Sequence, residues 1–84
     1  MHEVILEEPA KQFIRTLNKK EQKEILDKLE KLKTNPRLGK PLKKRLAGLW
    51  SLKFGKYRVI YTIKDIELIV LVLKTGHRKD IYNI

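Results

Sequence analysis

Residues 49–64 read L-W-S-L-K-F-G-K-Y-R-V-I-Y-T-I-K. Two stretches rich in aromatic and branched side chains flank Gly55-Lys56, the pattern of two strands joined by a two-residue hairpin loop. With those two residues as the loop, Phe54 faces Tyr57, Leu52 faces Val59 and Trp50 faces Tyr61. These pairs share one side, which makes that side the core. Alternation sends the residues between them to the other side: Lys53 opposite Arg58, with Ser51 and Ile60 next along. Like charges directly opposite one another destabilise a sheet. Either both long cations splay into water, or an anion belongs between them.

Toward the C-terminus, E-L-I-V-L-V-L-K (residues 67–74) is a third strand, reached through Lys64-Asp65-Ile66. With Asp65-Ile66 as a tight turn, Arg58 faces Leu73, and Ile60, Ile69, Leu71 and Leu73 point away from the core. A one-residue slip would reverse these faces. A strand apolar on both sides is usually covered on both. The cover is either the basic loop that precedes the hairpin or a segment of another protein. The chain then leaves the strand beside the Lys53–Arg58 end of the sheet and runs T-G-H-R-K-D-I-Y (residues 75–82), turning at Gly76 and presenting His77, Arg78 and Tyr82.

Toward the N-terminus, residues 36–48 hold Pro36, Gly39, Pro41 and Gly48 and read as a basic loop of functional length. Ahead of it, Ile25, Leu26, Leu29 and Leu32 form the apolar stripe of a helix that opens on Asn18 with Glu21 three residues on, a capping pattern. Ala10, Phe13, Ile14 and Leu17 form the stripe of an earlier helix, with Pro9 in its first turn. E-V-I-L-E opens the chain as a short strand. The expected fold class is α+β: an N-terminal strand, a helical hairpin, then an antiparallel three-stranded meander, one sheet covered by two helices. Residues 1–84 suffice for one domain with a single core.

Composition narrows the function. The chain has no cysteine and two histidines, which excludes disulfides and Cys-based zinc sites and leaves no metal or cofactor expected. No apolar run is long enough for a membrane span and no signal-peptide pattern is present, so a cytoplasmic protein is expected. Lys and Arg number 20 against 10 Asp and Glu, a net charge of +10 that favours polyanionic partners. A heat-adapted surface would intersperse the signs. Instead, no acid occurs between Glu30 and Asp65. Lys40, Lys43, Lys44, Arg45 and Lys56 fall in that span and are the candidate RNA-binding residues.

Three cations, an imidazole and a phenol near one spot suit RNA cleavage. RNA carries its own nucleophile in the 2′-hydroxyl, so the protein need only stabilise negative charge and move protons. Lys53, Arg58 and Arg78 suit the first task. His77 or Tyr82 suits the second, since neighbouring cations favour a phenolate.

G-K-Y-R-V-I-Y followed by L-V-L-K-T-G-H-R-K-D-I-Y resembles the RelE toxins of the RelE/ParE superfamily, in their archaeal form, over nearly the whole chain. The resemblance implies a microbial-RNase-like fold and an mRNA interferase. Such a toxin cuts mRNA in the ribosomal A site without a metal and is restrained by a cognate RelB-like antitoxin. It implies Arg58 and Arg78 as the phosphate-stabilising arginines, with Arg78 also near the leaving oxygen, and Tyr82 as the general base. Lys53 matches one of two strand lysines in the family pattern; the other falls on Ser51, a departure. His77 replaces a lysine. The sequence stops at Ile84, so a C-terminal helix found in some relatives is not expected. The antitoxin would dock on the apolar residues Ile60, Ile69 and Leu71. Two other classes remain: a ParE-like toxin that acts on DNA gyrase without cutting RNA, and a basic RNA-binding module without turnover.

Overall fold

The computed structural model describes residues 1–82. Among these, five strands and two α-helices follow in the order β1 (Glu3–Leu6), α1 (Glu8–Arg15), α2 (Lys19–Lys31), β2 (Lys40–Pro41), β3 (Leu49–Phe54), β4 (Tyr57–Lys64) and β5 (Ile69–His77). Short 3-10 turns at Pro36–Leu38 and Lys44–Leu46 flank β2. The expectation that no helix follows Tyr82 falls on residues 83–84, outside those described.

Local chemistry explains the helices. Pro9 lies in the first turn of α1, where a missing N–H costs nothing. Asn18 caps α2, its side-chain oxygen accepting the Glu21 N–H at 2.8 Å. Both helices lay their apolar stripes on one face of the sheet. Ala10, Ile14, Ile25, Leu29 and Leu32 join Leu52, Phe54, Tyr57, Val59, Tyr61, Val70 and Val72 in a single core. Leu26 departs from the expected stripe and stays half exposed. No helix among the described residues is long and apolar enough to cross a membrane.

The sheet has the strand order β1-β5-β4-β3-β2. The β3–β4 register matches expectation: Phe54 with Tyr57, Lys53 with Arg58, Leu52 with Val59, Ser51 with Ile60 and Trp50 with Tyr61. Gly55 takes φ +55° in the loop, a conformation glycine adopts without steric cost. The meander is one part of a larger mixed sheet, because β1 adds to it parallel to β5. The supposed loop also contributes an edge strand, β2, which pairs Lys40 with Ser51 and Pro41 with Trp50.

The β4–β5 register differs from expectation twice. The turn spans four residues, 65–68, with Leu68 at φ +56°, so Lys64 faces Ile69. A bulge at Ile60/Tyr61 then leaves Leu73 as the extra residue, since Tyr61 pairs with Val72 and Ile60 with Lys74. Arg58 therefore faces Gly76, not Leu73. The bulge reverses which side of β5 each later residue occupies. Val70 and Val72 face the core below it; above it Thr75 does so, and His77 lies on the same helix-covered side but is exposed.

Candidate functional site

Pairing assigns one row of the open face to Lys40, Ser51, Ile60 and Lys74, and the next to Lys53, Arg58 and Gly76. The residues after β5 fold back over these rows. The Arg78 N–H donates to the Lys56 carbonyl at the hairpin tip at 3.1 Å, and the Asp80 and Ile81 N–H groups both return to the His77 carbonyl at 3.0 Å. Ile81 is fully buried, and a Cβ added at Gly76 would lie 3.4 Å from its Cδ1. The glycine leaves room for the turn to lie close to the sheet.

That closure brings Tyr82 to Ser51. The Tyr82 hydroxyl donates to Ser51 Oγ at 3.1 Å, and an Arg58 guanidinium nitrogen donates to the same oxygen at 3.4 Å. Ser51 is almost completely buried, whereas Arg58 and Tyr82 are half-buried and open to a ligand. Lys53 stands opposite Arg58 and is exposed. Arg78 is exposed beside the hairpin tip. Ser51 looked like the place where a charge was missing; it is the hydroxyl on which Arg58 and Tyr82 meet.

His77 does not join them. It pairs with Tyr57 on the helix-covered side, its ring centroid 5.1 Å from that of Tyr57 and 5.9 Å from that of Phe13. The bulge is the physical reason, because one extra residue in β5 turns position 77 to the opposite face. Ile60 is a second correction. It is completely buried on the open face and offers no surface to a partner. Ile69 and Leu71 remain half-buried on that face, and Leu71 lies beside the partly exposed Ile5 of β1.

The basic residues divide as well. A cleft of about 470 Å³ follows the β3 edge, with Lys28, Lys31, Lys40, Lys53 and Arg58 in its wall and no carboxylate there among the described residues. Lys31 opens the acid-free basic span of the sequence, whereas Lys28, also on α2, carried no signal beyond a charged helix face. Lys28 Nζ donates to the Lys53 carbonyl at 3.0 Å, blunting the unpaired end of β3. Lys43, Lys44 and Arg45 are exposed on and next to the second 3-10 turn, outside that wall. Lys56 Nζ lies 5.6 Å from the Tyr57 ring centre, toward the helix side. Arg37 is engaged elsewhere, bonding Asp65 at 2.6 Å, and it holds that carboxyl below its ordinary range with help from His2.

Tyr61 fixes the outer wall. Its hydroxyl donates to the Pro36 carbonyl at 2.7 Å and accepts the Gly39 N–H at 3.0 Å, and burial raises the phenol above its ordinary pKa. A Cβ at Gly39 would meet the Ser51 carbonyl oxygen at 2.5 Å, so only glycine lets this segment run so close to β3. Among the described residues, no group of three or more His, Cys, Asp or Glu side chains is placed to hold a metal ion.

Comparison with known proteins agrees with this architecture. A family model described as the ParE toxin of the type II toxin-antitoxin system parDE matches residues 4–82. Toxin RelG of Mycobacterium tuberculosis is 48% identical over 46 residues, which are 55% of this chain and 53% of that protein. The chain thus spans about half the length of that curated relative. A chain of the toxin-antitoxin complex RelBE2 from Mycobacterium tuberculosis superposes with a TM-score of 0.83 at 30% identity, over 92% of this chain and 98% of that one. The archaeal RelE-RelB complex from Pyrococcus horikoshii gives 0.76 at 22% identity, over 92% and 94%, a likeness of fold.

Proposed function

Because the chain belongs to the ParE toxin family of type II toxin-antitoxin systems, within the RelE/ParE superfamily, we propose that this toxin is a metal-independent endoribonuclease cutting ribosome-bound mRNA in the A site. The 2′-oxygen attacks phosphorus, the bond to the 5′-oxygen breaks, and a 2′,3′-cyclic phosphate and a 5′-hydroxyl result. Arg58, Arg78 and Lys53 stabilise charge on the phosphorane. Tyr82 accepts the proton of the 2′-hydroxyl, the leaving 5′-oxygen takes a proton from solvent to become the 5′-hydroxyl, and Arg78 is assigned to the charge on that oxygen. Residues 1–84 act as one toxin domain in the cytoplasm, where ribosomes are. The observation that carries the reading is the convergence of Tyr82 and Arg58 on Ser51 Oγ, at 3.1 and 3.4 Å, beside a cationic cleft. Lys43, Lys44 and Arg45 extend the basic surface toward the ribosome.

The partner that restrains the toxin is a RelB-like antitoxin. What supports this is the toxin-antitoxin composition of the solved relatives and the half-buried apolar pair Ile69 and Leu71 beside Ile5.

The test incubates purified protein with programmed ribosomes and maps the mRNA ends. Cuts inside the A-site codon with cyclic phosphate ends are expected, while DNA supercoiling by gyrase proceeds unchanged. Messenger that is bound and protected would replace this reading with an RNA-binding module. Gyrase inhibition with intact messenger would replace it with a toxin of the other class.

A further inference from the structure

The cleft at the β3 edge extends beyond what one scissile phosphate requires. It runs from Arg58 and Ser51 on the open face, past Lys53, to Lys28 and Lys31 on α2, with Lys40 on its outer side. None of these cations forms an ion pair among the described residues, although acids on α1, α2 and the β4–β5 turn pair with Arg15, Lys33, Arg37 and His2. Lys40 is directly across from Ser51, about 4.8 Å away in the hydrogen-bonding direction of the sheet. The wall that carries Lys40 is fixed by the buried Tyr61 hydroxyl and the close approach at Gly39. Leu38, 41% exposed, and Leu52 add apolar surface to the cleft. A volume of about 470 Å³ suits a ligand-sized group. Cations around an apolar patch match a nucleotide, with its anionic phosphate and its flat base.

We infer that this cleft is a second nucleotide subsite on the same RNA strand. Lys31 and Lys40 hold the phosphate next to the one cut, and Leu38 supports that nucleotide's base or ribose. Lys28 stays on the Lys53 carbonyl and contributes field alone. The inference rests on the nuclease reading, since it adds a neighbour to the phosphate that Arg58 addresses.

The experiment compares wild type with a Lys31→Ala/Lys40→Ala double variant. The control is a Lys19→Ala/Lys20→Ala double variant, which removes equal charge from the exposed start of α2. Lys31 is twelve positions beyond Lys19, about 18 Å along the helix. Binding of a short oligoribonucleotide carrying one 2′-deoxy position, which blocks cutting, is measured across salt concentrations. Each phosphate no longer neutralised flattens the slope of log K against log salt by about 0.7 for a single strand, so a flattening of about 0.7 is expected for the first variant alone. On programmed ribosomes the same variant should raise KM by about ten-fold and leave kcat within about two-fold. If wild type cuts but both double variants share one slope and one KM, the subsite is overturned while the nuclease survives. If wild type leaves mRNA intact, the nuclease reading falls and takes the subsite with it.

Discussion

Two halves of the same open sheet face carry opposite chemistry. Across β2, β3 and the start of β4 stand Lys40, Ser51, Lys53 and Arg58, overlain by the turn that carries Tyr82. Across β1 and the start of β5 stand Ile5, Ile69 and Leu71, half-buried or partly exposed. The boundary is the bulge at Ile60/Tyr61. Below it β5 sends branched apolar residues outward; above it, the same strand sends Lys74 and Gly76 outward and sets His77, still exposed, on the helix-covered side. One unpaired residue thus separates a surface suited to an anion from one suited to an apolar partner, and each half can be attacked without the other.

The largest separation is expected from Arg58→Ala and Arg78→Ala. On the proposed nuclease reading each would remove transition-state stabilisation and should slow cutting by about 10²-fold or more, with antitoxin affinity unchanged. Antitoxin binding lost in step with cutting would erase the distinction between the halves. Tyr82→Phe should cost about 10²-fold through lost proton transfer. His77→Ala should change kcat less than about three-fold, since that ring packs against Tyr57 and Phe13 on the covered side. Equal losses at both positions would mean that the bulge does not govern which face is catalytic. On the apolar half, Leu71→Asp should weaken antitoxin binding by about 10- to 100-fold, measured by calorimetry, while the free toxin keeps its cutting rate.

How much of this division was readable from sequence depended on where the signals were local. The β3–β4 pairing followed from a two-residue glycine loop and strict alternation, and it set Lys53 opposite Arg58 correctly. The β4–β5 pairing did not follow, because Leu68 takes a positive φ where no glycine announces a turn, and because Leu73 resembles its neighbours in an unbroken apolar run. That hidden residue is why His77 was assigned to the open face. β2 was concealed by Pro41 and the surrounding basic loop, and β1 could not reveal a partner some 66 residues away. Ser51 stood out only as a departure from a family pattern. Its role emerged once the closing turn set Tyr82 against it. Tyr61 read as a plain core aromatic, yet its hydroxyl fixes the segment that aims Lys40.

Gly39 tests that aiming directly. Gly39→Ala forces a methyl group toward the Ser51 carbonyl and should cost about 1–3 kcal/mol of stability by denaturant unfolding. It should also raise KM more than it lowers kcat, because Lys40 moves while Arg58 and Tyr82 keep their contacts. A fall in kcat as large as that of Tyr82→Phe would show that the outer wall and the reacting centre are one rigid unit.

The smallest effect is expected at Asp65, which governs one cation from the far end of the apolar half. Arg37 belongs by sequence to the basic block, but its guanidinium bonds the Asp65 carboxylate at 2.6 Å and is thereby withheld from the cationic half. The Arg37 hydrogen bond, then that of His2, lowers the Asp65 pKa. A carboxyl lowered in the folded state contributes stability above its unfolded pKa of about 3.9 and loses that contribution as pH falls through the lower folded value. Asp65→Asn should therefore lower Tm slightly at neutral pH, with the gap to wild type closing below about pH 4. It should also release Arg37 and steepen the salt dependence of RNA binding, by at most about 0.7 in the log–log slope if the freed guanidinium reaches a phosphate. An unchanged slope with a lowered Tm would confine Arg37 to the β4–β5 turn and sharpen the border between the two halves. A steeper slope would show that the border is held partly by one surface ion pair.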